Sequence, residues 1–142
     1  SDTRRASVFG TPGVDIDWRN QNTFFLKTGE AKTYIGKYRG VNRIPLLKLS
    51  EMYLIAAEAS GDKGYLQTLR DHRGYVNYPL EENCDLAAEI EAEYRKEFMA
   101  EGQLFYYYKR LDYNTLPDMG VVMTGNYVFP MPDDEMEFGD IK

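Results

Sequence analysis

The chain has 142 residues, enough for one domain with a buried core. Its formal net charge of −6 and scattered cations make a poor surface for nucleic acid, so we expect no nucleic-acid partner. No run of 18 apolar residues is present, which excludes a transmembrane helix.

Charge is divided unevenly along the chain. Residues 1–50 hold nine Lys or Arg residues against four Asp or Glu residues, a balance of +5, so the remainder carries −11. We therefore expect the basic first section to lie against the acidic rest. The 12 Tyr, 7 Phe and one Trp suit either helix packing or a wet surface that binds sugar or peptide.

Cys84 is the only cysteine, so an internal disulfide and a cysteine-based metal site are excluded. This fits a reducing compartment, or a periplasmic or surface protein built without disulfides. We expect no signal peptide, and since the sequence lacks an initiator Met we expect the chain to be trimmed at its start.

Residues 1–45 are predicted to form loops and short strands. Residues 24–26 and 32–38 flank a glycine-containing connection, which favours a β-hairpin. Pro45 then precedes the first predicted helix of the core.

Residues 46–60 predict a helix buried on more than one side. One face carries Leu46, Leu49, Tyr53, Ala56 and Ala57, and Leu47, Leu54 and Ile55 cover more of the circumference. Gly61 is expected to end this helix, and Asp62 to cap a second one over residues 63–73 that Gly74 closes. The short connection predicts antiparallel packing.

A third helix is predicted from Asn83 or Asp85 to about Leu111, with Gly102 marking a kink or a close backbone approach. Its expected buried residues are Ile90, Tyr94, Phe98, Phe105 and Tyr108. Beyond it, Gly125-Asn126 predicts a hairpin between residues 121–124 and 127–129, and residues 133–140 form an acidic tail.

Residues 43–59 resemble the "RLSEMYLIAAEA" helix of the SusD/RagB family, the surface glycan-binding lipoproteins of Bacteroidetes. Three further motifs follow in the family's order. They are similar to "LN.LR..RG" at Leu66, Leu69, Arg70, Arg73 and Gly74, to "ERR.EF..EG…..KR" at residues 93–98, 101–102 and 109–110, and to "Y.FPIP..E" at residues 127–132 with Glu135. The chain departs from the family at Tyr94, Leu104 and Tyr107, where Arg, Arg and Asp are common.

The resemblance implies a mainly α fold: a SusD-like α/α superhelix with TPR-like helical pairs and short β-hairpins. Residues 1–142 would be a single domain resembling the family's C-terminal part, divided into loops and short strands (1–45), a helical core (46–111), and a hairpin with an acidic tail (112–142). The N-terminal part with its lipid-anchoring cysteine has no counterpart here, and Cys84 lies mid-chain.

The resemblance also implies a function. The chain would be a non-catalytic protein at the cell outer membrane, surface-exposed, that captures an oligosaccharide or other nutrient for a SusC-like TonB-dependent transporter. Membrane association would come only through a lipid anchor that this chain does not contain.

Aromatic residues in the first section are the best ligand candidates: Trp18, Asn20, Tyr34 and Tyr38. Rings pack on the C–H faces of sugars, while amide and charged side chains bind the hydroxyls. We expect Tyr34 and Tyr38 to share one face of a strand. The more common role of a lone Trp is a core anchor, and that alternative stays open.

No catalytic residue, metal site or cofactor is expected. Asp15 and Asp17 form the only pair that suggests a hydrolase, and a solvated loop is the plainer interpretation. The acidic tail lacks EF-hand spacing. His72 is expected at a helix end, in a structural role. The alternative to glycan binding is a TPR-like structural or protein-interaction module.

Overall fold

Six α-helices and one two-stranded antiparallel sheet form the regular structure of the described residues. The structure is a computed structural model. It describes residues 2–9, 16–30, 32–117, 120–123, 125, 127–128, 130–132 and 137, with only the backbone of residues 2–4. The elements are α1 (Asp2–Phe9), α2 (Trp18–Asn22), β1 (Phe24–Leu26), β2 (Thr33–Ile35), α3 (Leu49–Ser60), α4 (Lys63–Arg70), α5 (Leu86–Glu97) and α6 (Gln103–Arg110).

The prediction of a mainly helical protein with a short β-hairpin is confirmed at this level. By compactness the chain divides into two units, Ser1–Leu104 and Phe105–Lys142. Within the described ranges, none of the helices combines the length and the apolarity needed to cross a membrane.

The first section contains two helices that the sequence did not predict. Asp17 caps α2 by accepting a hydrogen bond from the backbone N–H of Arg19 at 2.9 Å. The side chain of Arg5, on α1, donates to the side-chain and backbone oxygens of Asn20. Both helices are too short to be stable alone. The prediction of loops was wrong here because contacts distant in sequence stabilise these helices.

The predicted hairpin is confirmed: β1 pairs with β2, and Phe25 lies opposite Tyr34. The strands are only three residues long, and the chain turns over residues 37–40 directly after β2. Tyr38 therefore belongs to that turn. The expectation that Tyr34 and Tyr38 share one strand face was wrong.

The helical hairpin of α3 and α4 is confirmed with its caps. Gly61 adopts φ +69° and its N–H donates to the carbonyl of Ala57, and Asp62 accepts from the backbone N–H of Gly64. α3 packs against α4 and α5.

The expectation that this helix is buried on more than one side was wrong, since α3 buries a single face. Leu54 and Ala57 are fully buried, whereas Leu46 is 92% exposed and Leu49 is 73% exposed. Leu46 also lies outside the helix, which begins at Leu49. Since apolar residues cover most of the circumference of α3, periodicity could not identify which side meets its neighbours.

α4 continues into a π-helical turn, Asp71–Tyr75, whose Gly74 has φ +110°. A Cβ atom added to Gly74 would lie 2.2 Å from the carbonyl oxygen of Ile16 and 2.9 Å from Nε1 of Trp18. Gly74 therefore closes the second helix, as predicted. Because it has no side chain, it also lets the backbone at Ile16 approach closely.

α5 begins at its predicted cap, Asp85, which accepts from the backbone N–H of Ala88 at 3.1 Å. Ile90, Tyr94 and Phe98 are buried, as predicted. The expectation of one helix to about residue 111 was wrong, because α5 ends at Glu97.

Two lysines explain where α5 ends. The ammonium groups of Lys37 and Lys48 both reach the backbone carbonyl of Glu97, Lys48 at 3.5 Å. Cations at a helix C-terminus satisfy its free carbonyls and complement its dipole. Ala100 and Gly102 then adopt φ of +62° and +78°, and α6 starts at Gln103.

In the second unit, aromatic residues pack together. Tyr107 and Tyr108 are buried, while Tyr106 on the same helix is 65% exposed. The run of aromatics at residues 105–108 thus points in several directions. The rings of Tyr108 and Tyr113 lie 5.0 Å apart.

Two segments that follow α6 pair with each other, since Thr115 and Val122 form an antiparallel bridge. The predicted hairpin at residues 121–129 includes Thr124, Asn126 and Phe129, which lie outside the described residues. Most of the acidic tail also lies outside them.

Replacing Gly74 by Ala tests the close approach. We expect Gly74→Ala to lower the free energy of unfolding by more than about 2 kcal/mol, since a Cβ there overlaps backbone and φ is positive. Gly61→Ala is the matched control: its φ is also positive but nothing lies within 4 Å of the added Cβ, so about 1 kcal/mol is expected. Urea denaturation measures both. Equal losses would contradict the contact with Ile16.

Candidate functional site

A buried group of ion pairs joins the first section to α5. We call it the Arg19 cluster; its members are Asp17, Arg19, Arg73, Glu93, Lys96 and Glu97. One guanidinium nitrogen of Arg19 lies 2.7 Å from Asp17 and 2.6 Å from Glu93. Another lies 3.1 Å from Glu97. The side chains of Asp17 and Glu93 are completely buried.

The remaining cations complete the cluster. Arg73 donates two hydrogen bonds to the two carboxylate oxygens of Glu97, at 3.0 and 3.1 Å. Lys96 lies 3.0 Å from Glu93, and Tyr75 donates to Asp17 at 3.3 Å. The three cations and three carboxylates balance, so the cluster is buried without net charge.

The local fields shift the pKa values of two members. Burial alone would raise the pKa of Glu97, but the hydrogen bond and charge of Arg73 and the charge of Arg19 outweigh it and lower the pKa to about 2. Burial also opposes the charge on Arg19, yet its bonds to Asp17 and the charge of Glu93 raise its pKa. Both groups are held in their charged forms.

The cluster is structural. A general acid or base needs a pKa near the working pH and access to a substrate. Glu97 has the opposite properties, because its carboxylate is nearly buried and fully paired. The expectation that the basic first section lies against the acidic rest is confirmed by these pairs.

A second group of charges lies at the end of α5. Lys37 and Lys48 both bind the carboxylate of Glu101, and the Lys48 ammonium lies 5.0 Å from the centre of the Phe98 ring. Burial and the charge of Lys48 lower the pKa of Lys37, although Glu101 opposes that shift. Burial would raise the pKa of Glu101, but the two lysines lower it. Two cations therefore share one acid.

Beside this group a cleft of about 520 Å³ opens. One wall is the end of the hairpin and the turn after it, and the other is the turn between α5 and α6. The cleft is lined by Phe25, Lys37, Tyr38, Arg39, Met99 and Glu101, among others. The guanidinium of Arg39 lies 4.4 Å from the centre of the Phe25 ring. Aromatic and charged groups thus meet in one concave site.

Of the predicted ligand residues, Trp18 is 54% exposed and is not a core anchor. Its indole lies against Gly74, and its carbonyl accepts a hydrogen bond from Asn22 at 2.7 Å. Asn20 is only 2% exposed and binds Arg5, so it does not reach the surface beside Trp18.

The two predicted tyrosines occupy different places. The Tyr34 hydroxyl donates to Glu30, and its ring lies 5.8 Å from that of Phe25. Tyr38 lines the cleft, with the Lys48 ammonium 5.6 Å from its ring centre. The structure does not bring Trp18 and Asn20 into the lining of the cleft.

The sequence did not identify Phe25, Lys37, Arg39 or Glu101 as site residues. The signal available was the alternation of cations and an aromatic ring at residues 37–39, directly after a predicted strand. Glu101 lies more than 60 residues further along the chain, and only its "EG" motif distinguished it.

The sequence offered three further candidate residues, Asp15, Asp17 and His72. Asp17 belongs to the Arg19 cluster, and Asp15 lies outside the described residues. The carbonyl of His72, in the π-helical turn, accepts from Arg73. In the part of the chain that the structure describes, no group of three His, Cys, Asp or Glu side chains could hold a metal ion.

The depressed pKa of Glu97 predicts acid sensitivity. A carboxylate whose pKa is lower in the folded state stabilises the fold above its ordinary pKa of 4.5, and this stabilisation disappears as the pH falls towards 2. We expect Glu97 to account for up to about 3 kcal/mol of unfolding free energy lost over that range. Urea denaturation at a series of pH values measures it.

Glu97→Gln should start less stable, because Arg19 and Arg73 lose a counter-charge, and should show a shallower acid dependence. Glu82→Gln, at an exposed position, should keep the wild-type slope. An unchanged slope in Glu97→Gln would contradict the assignment.

The chain matches no protein-family model, no curated protein and no solved structure. The resemblance to the SusD/RagB family therefore rests on the motif residues. Any function taken from that resemblance is a proposal.

Proposed function

We propose that the chain is a non-catalytic glycan- or nutrient-binding module of SusD/RagB type. It would act at the outer membrane and capture oligosaccharide for a SusC-like TonB-dependent transporter. No bond of the ligand is broken; the ligand is held and passed on.

The positions of the motif residues support the family resemblance. Arg73, Glu93 and Glu97 are members of the Arg19 cluster, Gly74 contacts Ile16, and Glu101 binds two lysines. Several of the residues that carry the motifs therefore hold this fold together. A shared motif is expected at such positions, because replacing one partner of a buried pair is strongly destabilising.

The α3–α4 hairpin supports the architectural part of the proposal. The helices α3 and α4, joined at Gly61-Asp62, pack against each other as paired helices of a TPR-like unit would, and α5 packs on α3. We propose that this arrangement belongs to a SusD-like superhelix.

One observation carries the binding function: Trp18 is more than half exposed although its backbone is fixed. Asp17 caps the helix that begins at Trp18, and the indole of Trp18 lies against the backbone at Gly74. A large ring held rigidly at the surface presents an apolar face at little entropic cost on binding. Sugar C–H faces are a matching partner.

Affinity electrophoresis through gels containing neutral and acidic polysaccharides tests the proposal. We expect at least one polysaccharide to retard the wild-type chain, and Trp18→Ala to weaken that retardation by about ten-fold in affinity, the loss of about 1.4 kcal/mol of stacking. Tyr78→Ala is the matched control, since Tyr78 is an aromatic residue of similar exposure, 53%, elsewhere on the same unit.

Retardation by no polysaccharide would overturn glycan binding for this chain. Equal weakening by Trp18→Ala and Tyr78→Ala would overturn the role of Trp18. Release of sugar products from the polysaccharides would replace the proposal with an enzymatic one.

An exposed apolar surface favours a second candidate, a TPR-like module that binds protein and no glycan. It consists of Leu46, Leu47, Leu49, Met52 and Ile55 at the start and along one side of α3. Contiguous apolar surface of this kind is typical of protein contacts. This candidate predicts no retardation by any polysaccharide, together with loss of protein binding in Leu46→Ser/Leu49→Ser.

A further inference from the structure

The cleft beside β2 carries a local excess of positive charge. Lys37 and Lys48 together have one carboxylate partner, Glu101, among the described residues. The guanidinium of Arg39 has no hydrogen-bonded or ionic partner among them, and it lies over the face of the Phe25 ring. Of these charged groups Lys37, Arg39 and Glu101 line the cleft, so its lining carries a net charge of +1, and Lys48 binds Glu101 from outside that lining.

Arg39 is arranged to bind a planar anion. Its guanidinium lies 4.4 Å from the centre of the Phe25 ring, so one face is occupied by a cation–π contact. The N–H groups lie in the guanidinium plane and remain open to an acceptor. A carboxylate matches that edge with two parallel hydrogen bonds, which a lysine cannot provide.

Phe25 itself is held in place. A Cβ atom added to Gly36 would lie 2.8 Å from the Phe25 ring, so the absence of a side chain at residue 36 lets the ring approach the backbone after β2. On its other side the ring packs against Tyr34. Arg39 therefore lies over a ring that is itself supported.

The size and remaining walls of the cleft suit a sugar ring. Its volume of about 520 Å³ lies within the usual range of small-molecule sites. Tyr38 and Met99 supply apolar surface. Burial and the neighbouring Lys48 already lower the pKa of Lys37, so a bound anion would relieve a repulsion present in the unliganded cleft.

We propose that the cleft binds the carboxylate of a uronic acid within an acidic oligosaccharide, with Arg39 as its bidentate partner. This inference rests on the proposed glycan-binding function and names the class of glycan. The chain as a whole carries −6, so a polyanion gains no diffuse attraction and must be retained by a local contact.

Polygalacturonate, dextran sulfate and neutral dextran serve as the probes, each in affinity electrophoresis and titration calorimetry with the full chain. We expect binding of polygalacturonate that weakens as NaCl rises. Arg39→Gln should reduce this affinity by about ten-fold or more, and Arg39→Lys should give an intermediate loss, because charge remains but the planar fork is gone.

Arg43→Gln is the matched control, since it removes the same charge from an exposed residue four positions away that does not line the cleft. It should bind polygalacturonate as the wild type does. All variants should keep the wild-type thermal unfolding midpoint, because Arg39 pairs with no described acid.

Five outcomes would overturn the inference. Equal losses in Arg39→Gln and Arg43→Gln would indicate diffuse charge, and an unchanged Arg39→Gln would remove Arg39 from the site. Binding of dextran sulfate but not polygalacturonate would overturn the carboxylate assignment. Binding of neutral dextran alone would overturn the inference while leaving glycan binding intact, whereas binding of no polysaccharide would overturn both.

Discussion

The pairing of Arg19 with three buried carboxylates is the interaction on which the first unit depends. Ionic groups of this kind are expensive to remove from water, and the expense is offset only when every charge has a well-placed partner. Here Asp17 and Glu93 are completely buried, and Arg73 and Lys96 supply the balancing cations. The cluster adds little net stability compared with an apolar core, but a misplaced α2 would leave charges unpaired inside the protein. It therefore fixes where the first section docks on α5.

Contacts between residues distant in sequence also form the cleft, through the lysines at the end of α5. Lys37 and Lys48 come from two different segments and converge on the Glu97 carbonyl and the Glu101 carboxylate. Their convergence ends the helix, and the chain then turns through Ala100 in a left-handed conformation. That turn forms one wall of the cleft, and the segment carrying Lys37 forms the other. The helix terminus and the cleft are thus both formed by one set of contacts.

Features set by neighbouring residues could be predicted from the sequence, and features set by distant ones could not. Gly61, Asp62 and Asp85 are caps whose partners lie within a few residues, and the hairpin at β1 and β2 depends on a local turn. The end of α5 depends on lysines 60 and 49 residues away. Because no neighbouring residue marks that end, the apolar pattern of the sequence predicted a helix that continues past Glu97. In the same way, Asn20 looked like a surface amide because nothing local indicates its bond to Arg5. The cleft was only partly anticipated, through Tyr38, because its two walls are far apart in the chain.

The separation of Arg19 from Glu93 has a consequence for synthesis. The two residues lie 74 positions apart, and at ribosomal speeds of 5–20 residues per second the second follows the first by roughly 4–15 s. Throughout that interval Asp17 and Arg19 lack the charged partners that α5 supplies, and the segment they anchor lacks the surface of α5. The helices α1 and α2 are therefore made before α5, the helix that fixes their position. Phe9 and Phe24 pack edge to face in the folded protein. In a nascent chain stalled before α5 these rings would be accessible to chaperones that bind apolar segments near the ribosome exit.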